Sequence, residues 1–437
     1  MTTPTSGPKV PRTAFPPVFW VANVIEVLER FSYYGIYFGF GIYMTKLGYS
    51  RDQLGVVQSL FLLLSYSMPI ISGTFADRYG FKKVLIASYF AYLPAILLLM
   101  VTKSFSGIAL TMLSIGFAAG VFKPLIAGTV RVTTDTTNKT LGFGIFYAMV
   151  NIGGSFGPVV AGRLRAISWD LAFEVAAASI GVMMLITIFF YKEPPREPST
   201  ETLGQRFQGI VSTLADAKFT VFLILLGVFF WLPFWSFFNL CALYVDTNVD
   251  TARCYQDLKA VLGVTVADFL SAPDKEGVRR IMGETISHTG YIIMVFQLAV
   301  SGIFGRFRAL PSFMFGLVVA AAGLAVLGLA RGAGAGMVVL GIFLFAVGEM
   351  ITSPRVQEYI TWIAPKEKAG LYMGSNFLAT MIGGSTSGLI YTTLYGSLSK
   401  AGHPEQVWYV MAGHLLLGVL AFWCFVRVAG EFQEQKA

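Results

Sequence analysis

Charge is scarce in this chain. Only 13% of its 437 residues are Asp, Glu, Lys or Arg, 55% are hydrophobic, and the mean hydropathy is +0.67. Soluble domains carry about a quarter charged residues, so a water-soluble globule is excluded and a membrane protein is indicated. Histidine and cysteine are rarer still, at three each. His288, His403 and His414 are scattered without ligand spacing, so no metal or haem site is expected. Cys241 and Cys424 fall in apolar stretches and Cys254 is left unpaired, which excludes a disulfide framework. No G-x-x-x-x-G-K-[ST] loop occurs, which disfavours ATP-driven work, and no soluble-enzyme site or cofactor motif is visible. The formal charge of +8 is not a nucleic-acid footprint, because the basic residues sit in short loops between apolar stretches. The N-terminus is polar and proline-rich and lacks the basic start and short apolar core of a cleaved signal.

What is abundant is apolar sequence in lengths of about 20 residues, enough to cross a bilayer as helix. Such stretches fall near 18–44, 52–74, 83–102, 105–133, 140–164, 169–191, 219–245, 289–307, 309–330, 334–362, 370–396 and 405–428. The expected architecture is therefore all-α and polytopic, with twelve transmembrane helices in two six-helix bundles. The N-terminal bundle would occupy 1–191, a polar linker 192–217, and the C-terminal bundle 218–437. A long insert, 246–287, follows the seventh span and reads as two short amphipathic helices capping the outer mouth. Lys and Arg number 17 on the side of the termini and linker and 12 on the other, which places both termini in the cytoplasm. The chain is expected in the cell (inner) membrane as a multi-pass monomer, with the lipid bilayer as its surroundings.

The first span contains the costliest residues. Glu26, Glu29 and Arg30 are its only formal charges between Val18 and Met44. Each costs roughly 2.5–3.5 kcal/mol on insertion scales, so such groups face a bundle interior or a wet cavity. In a helix Glu26, Arg30, Tyr33 and Tyr37 share one stripe. Two acids against one base leave a carboxylate that needs a cation or a proton. Lys123, between Phe122 and Pro124, lies too deep in the fourth span to snorkel and needs a partner. The nearest acid by depth in the other half is Glu349. A Lys123–Glu349 pair across the halves would be a gate that protonation of Glu349 releases; a permanent structural pair is the alternative. Arg30 and Lys123 are donors for a substrate carboxylate. Tyr33, Tyr34, Tyr66 and Asn151 suit hydrogen bonds to peptide amides, or to a neighbouring helix.

Gly73-x-x-x-Asp77-Arg78-x-Gly80-x-Lys82-Lys83 resembles the signature loop of the major facilitator superfamily, which implies twelve helices and a gating role for Asp77 and Arg78. A shorter echo, SGIFGRFRAL, closes the eighth span. Within that superfamily, Glu26-x-x-Glu29-Arg30-Phe31-x-Tyr33-Tyr34-Gly35 is similar to the helix-1 signature of the proton-coupled oligopeptide transporters. Phe146-Tyr147-x-x-x-Asn151-x-Gly153-Gly154-Ser155, Gly120-x-x-Lys123-Pro124, Tyr66 with Pro69, and the run from Gly348-Glu349 to Gly374 also resemble that family. The resemblance implies a symporter that imports small peptides or peptide-like solutes with protons by alternating access. It implies proton coupling through Glu26, Glu29, Arg30, Lys123 and Glu349. It also implies substrate contacts from Arg30, Tyr33, Tyr34, Tyr66, Lys123, Asn151 and Glu349.

Three departures bear on the substrate. Tyr37 stands where the family commonly has a base, and the seventh span has no acid, so an external gate is expected to be aromatic and polar rather than ionic. The eighth span lacks the family's Asn-Pro, which alters the amine side of the pocket. Arg355 and Glu358 read as a helix-end pair, or as a binder of a different head group. A non-peptide organic anion or zwitterion, or proton-driven drug efflux, are the alternative functions.

Overall fold

In the computed structural model the chain is described over residues 14–135, 137–195, 202–363, 369–430 and 432. Most of the polar N-terminal segment, part of the linker (196–201) and the Ala364–Pro365 motif lie outside the described residues. Long helices dominate. They are α1 (Pro17–Lys46), α2 (Arg51–Tyr79), α3 (Phe81–Val101), α4 (Phe105–Val132), α5 (Lys139–Ile167) and α6 (Trp169–Phe190). After the linker helix α7 (Leu203–Leu214) come α8 (Ala217–Leu226) and α9 (Leu232–Asn248), continuous through a π-helical turn at Gly227–Trp231. The insert and its successor contribute α10 (Thr251–Leu262), α11 (Val264–Phe269), α12 (Gly283–Ile286) and α13 (Gly290–Phe304). The chain closes with α14 (Ala309–Gly328), α15 (Ala335–Ile363), α16 (Ala369–Ser387), a second π-helical turn (Gly388–Thr392), α17 (Thr393–Lys400) and α18 (Gln406–Ala429).

Ten of the described helical segments are long and apolar enough to cross a membrane. Two further long helical stretches are α1, with its three buried charges, and α16 continuing into α17. Local chemistry marks the helix starts. Ser50 and Gln53 form a reciprocal capping box at α2, and Ser104, Ser168 and Asp216 accept from the first free N–H groups of α4, α6 and α8. Pro69, Pro94, Pro124, Pro158 and Pro354 lie inside helices, where neighbouring helices re-satisfy the freed carbonyls.

Helices α1–α6 pack among themselves, with α1 on α5 and α6, α2 on α4, and α3 on α4 and α6. The second group centres on α14, which packs on α15 and α18. Glycines set the closest crossing: a Cβ at Gly153 or Gly157 would collide with the backbone of Val27 or Phe31. That approach presses α5 against the charged segment of α1.

The insert differs in part from its expected form. Its first segment is helical, but Ala272-Pro273-Asp274 onward forms a two-stranded antiparallel hairpin, Ser271–Pro273 with Arg279–Ile281. Asp274 closes the turn by accepting from Glu276 N at 3.0 Å and Val278 N at 2.9 Å, and Gly277 takes φ +81°. Turn chemistry of this kind outcompetes an amphipathic pattern only two turns long. The Arg280 guanidinium, 2.7 Å from Asp274, holds that carboxyl below its usual range.

Candidate functional site

The buried charges of α1 form one cluster. Arg30 Nε lies 2.7 Å from Glu26 Oε1 and 3.1 Å from Glu29 Oε2, and Tyr92 donates to Glu29 Oε1 at 3.3 Å. All three charged residues are essentially inaccessible, at 1%, 0% and 6% exposure. Lys123 joins the cluster from α4. Its ammonium donates to Ser65 Oγ at 2.9 Å, lies 4.0 Å from the centre of the Tyr66 ring, and sits 5.0 Å from that of Tyr33. Ser65 also lies 3.4 Å from the Tyr33 hydroxyl. Two acids and two bases thus share one buried neighbourhood, and each charge has an opposite charge or a dipole to face.

A cavity of about 240 Å³ lies between the two helix groups. The first group lines it with Tyr34, Phe38, Tyr66, Tyr147, Val150 and Asn151. The second contributes Trp231, Phe234, Trp235, Phe238, His288, Thr289, Glu349, Ser353 and Gln357. Among the described residues Glu349 is the one carboxylate in that lining, and no lysine or arginine belongs to it. Thr289 donates to Glu349 Oε2 at 2.7 Å. His288 stacks on Phe38, and Asn151 turns its amide to Tyr147 O at 2.8 Å.

The structure therefore divides the expected site residues. Tyr34, Tyr66, Asn151 and Glu349 reach the cavity. Glu26, Glu29, Arg30, Tyr33 and Lys123 stand one layer back, with the Tyr66 ring between Lys123 and the open space. The expected Lys123–Glu349 pair is not formed: Lys123 is held by Ser65 and Glu349 by Thr289. Packing bears on this: the Tyr66 ring covers Lys123 at 4.0 Å, meets Trp235 at 5.1 Å and lines the cavity that Glu349 faces. Asp77 and Arg78 end α2; the Arg78 guanidinium covers the Tyr79 ring at 5.4 Å, and Glu193 caps α3 through Phe81 N and Lys82 N. Arg355 and Glu358 pair with each other and lie outside the cavity lining.

On α1, α2, α5 and α9 the ties at Tyr37, Gln58, Arg165 and Asn239 lie nearer the insert than the cavity residues Tyr34, Tyr66, Asn151 and Trp235. Tyr37 donates to Asn239 Oδ1, and Asn239 Nδ2 donates to Ser387 Oγ at 2.9 Å. Gln58 donates to Asn239 O at 3.1 Å and accepts from Thr392 at 2.7 Å. This polar closure matches the character expected from Tyr37. An ionic tie between α5 and the insert accompanies it. Arg165, at the end of α5, pairs with Glu284 and reaches Asp246 at 2.7 Å. Arg165 and Glu284 are 4% and 1% exposed at the side chain. Their spacing of 119 residues hid the pair from any local pattern; the available signal was two bases, Arg163 and Arg165, ending the fifth span and acids at both ends of the insert.

The family description that matches the chain, over residues 23–388, is the Major Facilitator Superfamily. An uncharacterised transporter of that type, YqjV of Bacillus subtilis (strain 168), is 21% identical over 93% of each chain. The quinolone resistance protein NorA of Staphylococcus aureus (strain MSSA476) is 23% identical over 50% of this chain and 58% of its own length. Among solved structures, a peptide transporter of the POT family in complex with sulfate superposes with TM-score 0.76 at 17% identity, covering 98% of both chains. A POT family transporter in complex with 5-aminolevulinic acid gives 0.74 at 18%, covering 95% of this chain and 98% of that one.

Proposed function

This chain belongs to the Major Facilitator Superfamily, and we propose that within it the chain is a proton-coupled symporter of small peptides or peptide-like solutes. The single observation that carries this reading is the cavity between the helix groups, where Glu349 is the sole carboxylate and the Glu26–Glu29–Arg30–Lys123 cluster lies directly behind the Tyr34–Tyr66 wall. Substrate sites of transporters sit at such interfaces near the bilayer midplane.

In the proposed mechanism the twelve long helical stretches are spans, in N- and C-terminal bundles of 1–191 and 218–437 joined by a linker at 192–217. Both termini are cytoplasmic, and the protein works as a monomer in the cell membrane. The ties at Tyr37–Asn239, Gln58–Thr392 and Arg165–Glu284 close the outer mouth, so the described conformation faces inward. Glu349 takes up a proton, and Glu26 and Glu29 exchange between Arg30 and a second proton. A substrate amine meets Glu349, and Tyr34, Tyr66 and Asn151 bind amide groups. Arg30, Tyr33 and Lys123 come into reach when Tyr66 swings aside, and Asp77 with Arg78 latches the inner ends of the helices when the outer mouth opens. A Lys123–Glu349 pair belongs to that second conformation. Alternating access then follows from differential binding of protons and solute to the two states.

Uptake of a labelled dipeptide into proteoliposomes under an acid-outside gradient tests the reading. Accumulation above the uncoupled control supports it; failure of every di- and tripeptide to accumulate or compete removes the peptide assignment. One observation favours a second reading, proton-driven efflux of aromatic cations. The cavity presents one carboxylate among Trp231, Trp235, Phe234, Phe238 and Tyr147, a setting that suits cation–π contact. Efflux predicts resistance on overexpression and extrusion of an aromatic cation from loaded, energised vesicles.

A further inference from the structure

A second groove is larger than the cavity between the helix groups. It has about 610 Å³ and lies on the outside of the first group, walled by α2 (Met68, Ile71, Phe75), α3 (Val84, Ala87) and α4 (Phe117, Val121), with Tyr79 and Lys83 at one end. Its remaining lining is two serines, of which Ser88 already donates to Leu85 O at 2.7 Å. Ile71, Phe75, Ala87 and Phe117 are exposed along it.

Length and charge identify what fills it. From Tyr79, in the last turn of α2, to Met68 is eleven residues of helix, about 16 Å at 1.5 Å per residue. That is half of a hydrocarbon core about 30 Å thick. The groove thus runs from the membrane surface at the Gly80 turn to the midplane, the depth of a single leaflet. Its surface end is basic. Lys83 makes no hydrogen bond or ion pair among the described residues, and Arg78 rests on the Tyr79 ring. Lys82 is engaged with Ile188 O at 2.8 Å, and the nearby Glu193 carboxylate is taken up by Phe81 N and Lys82 N. An apolar channel one leaflet deep, with Lys83 at its surface end and Arg78 beside it on the Tyr79 ring, is complementary to one class of molecule.

We propose that this groove is a site for an anionic phospholipid of the linker-side leaflet, one acyl chain lying between α2, α3 and α4 and the phosphate on Lys83 and Arg78. The occupant braces α2, the helix of the first group that packs on α16 and the adjoining π-helical turn of the second. The site is independent of the transported solute.

The test uses the purified full chain in neutral detergent, titrated with phosphatidylglycerol or phosphatidylcholine and read by native mass spectrometry. Phosphatidylglycerol is expected to be retained more strongly. Lys83→Ala should cut its retention about fivefold, the worth of one basic residue at an anionic headgroup, and leave phosphatidylcholine unchanged. Ala87→Phe, which fills an exposed part of the groove, should lower retention of both lipids. Equal retention of the two lipids by the unaltered chain overturns the proposal. So does an unchanged preference in Lys83→Ala, or undiminished binding of both lipids in Ala87→Phe.

Discussion

The two helix groups hold their buried charge in opposite ways. In the first, Arg30 pairs with Glu26 at 2.7 Å and Glu29 at 3.1 Å, Tyr92 donates to Glu29, and Ser65 holds Lys123 nearby. In the second, Glu349 forms no ion pair among the described residues and accepts from Thr289. A satisfied cluster resists change, because removing one member strands another in an apolar surround. A lone carboxylate at a cavity wall changes partners cheaply. On the proposed mechanism the difference ranks the two proton sites: Glu349 changes partners most cheaply, while a second proton must compete with Arg30 for Glu26 and Glu29.

That comparison breaks most visibly at Glu349 itself. Glu349→Gln is expected to reduce proton-driven accumulation in proteoliposomes to background while sparing counterflow exchange, and Lys123→Ala to do similar damage. Equal loss of both activities in Glu349→Gln would assign the residue a structural role and erase the contrast between the halves.

The next largest effect concerns the ionic tie between the groups. Arg165→Met leaves Glu284 buried without its cation, at a cost of about 3–5 kcal/mol, and a clear drop in Tm should follow. Arg165→Met with Glu284→Met should recover most of that loss, and outer-mouth residues should become more accessible to a membrane-impermeant label. Additive losses in the double variant would mean that the two side chains do not act as a pair.

A smaller change tests the polar tie beside it. Tyr37→Phe removes the hydrogen bond to Asn239, worth about 0.5–1.5 kcal/mol. The inward-facing state should lose population by the corresponding factor, measured by distance distributions between spin labels on α1 and α9. Unaltered distributions would leave Arg165 as the principal closure.

The smallest effect lies outside the membrane, in the insert hairpin. Arg280 lowers the Asp274 carboxyl below its usual range, so the contribution of that contact is present above the ordinary aspartate value, about 3.9. It is lost as pH falls through the lower folded value. Amide exchange at Val278, whose N–H meets Asp274, should accelerate only at the acid end; a pH-independent protection factor would show that the turn holds without the charge.

Much of this was legible beforehand, and for identifiable reasons. Runs of about 20 apolar residues dictate spanning helices because backbone groups cannot be left unpaired in lipid. The three- and four-residue spacing of Glu26, Arg30, Tyr33 and Tyr37 placed them on one stripe, and Arg30 does cover the Tyr33 ring, with Tyr33 stacked on Tyr37. The hairpin in the insert was missed because a short amphipathic pattern and an Asp–Gly turn compete within the same residues. Thr289, His288 and the aromatic wall from Trp231 to Phe238 gave no signal that separated cavity lining from ordinary span packing.

By itself, then, the sequence determined that this is a helical membrane transporter of the superfamily, and which few side chains are too costly to be there by accident. Those follow from hydropathy, helical period and local motif, all properties of neighbouring residues. Only the tertiary structure decided that Tyr66 screens Lys123 from the cavity, that Glu349 turns to Thr289, and that Arg165 ties α5 to an insert more than a hundred residues away. Pairings across the two helix groups depend on how the groups lean, and that lean is a balance of long-range contacts which no local pattern encodes.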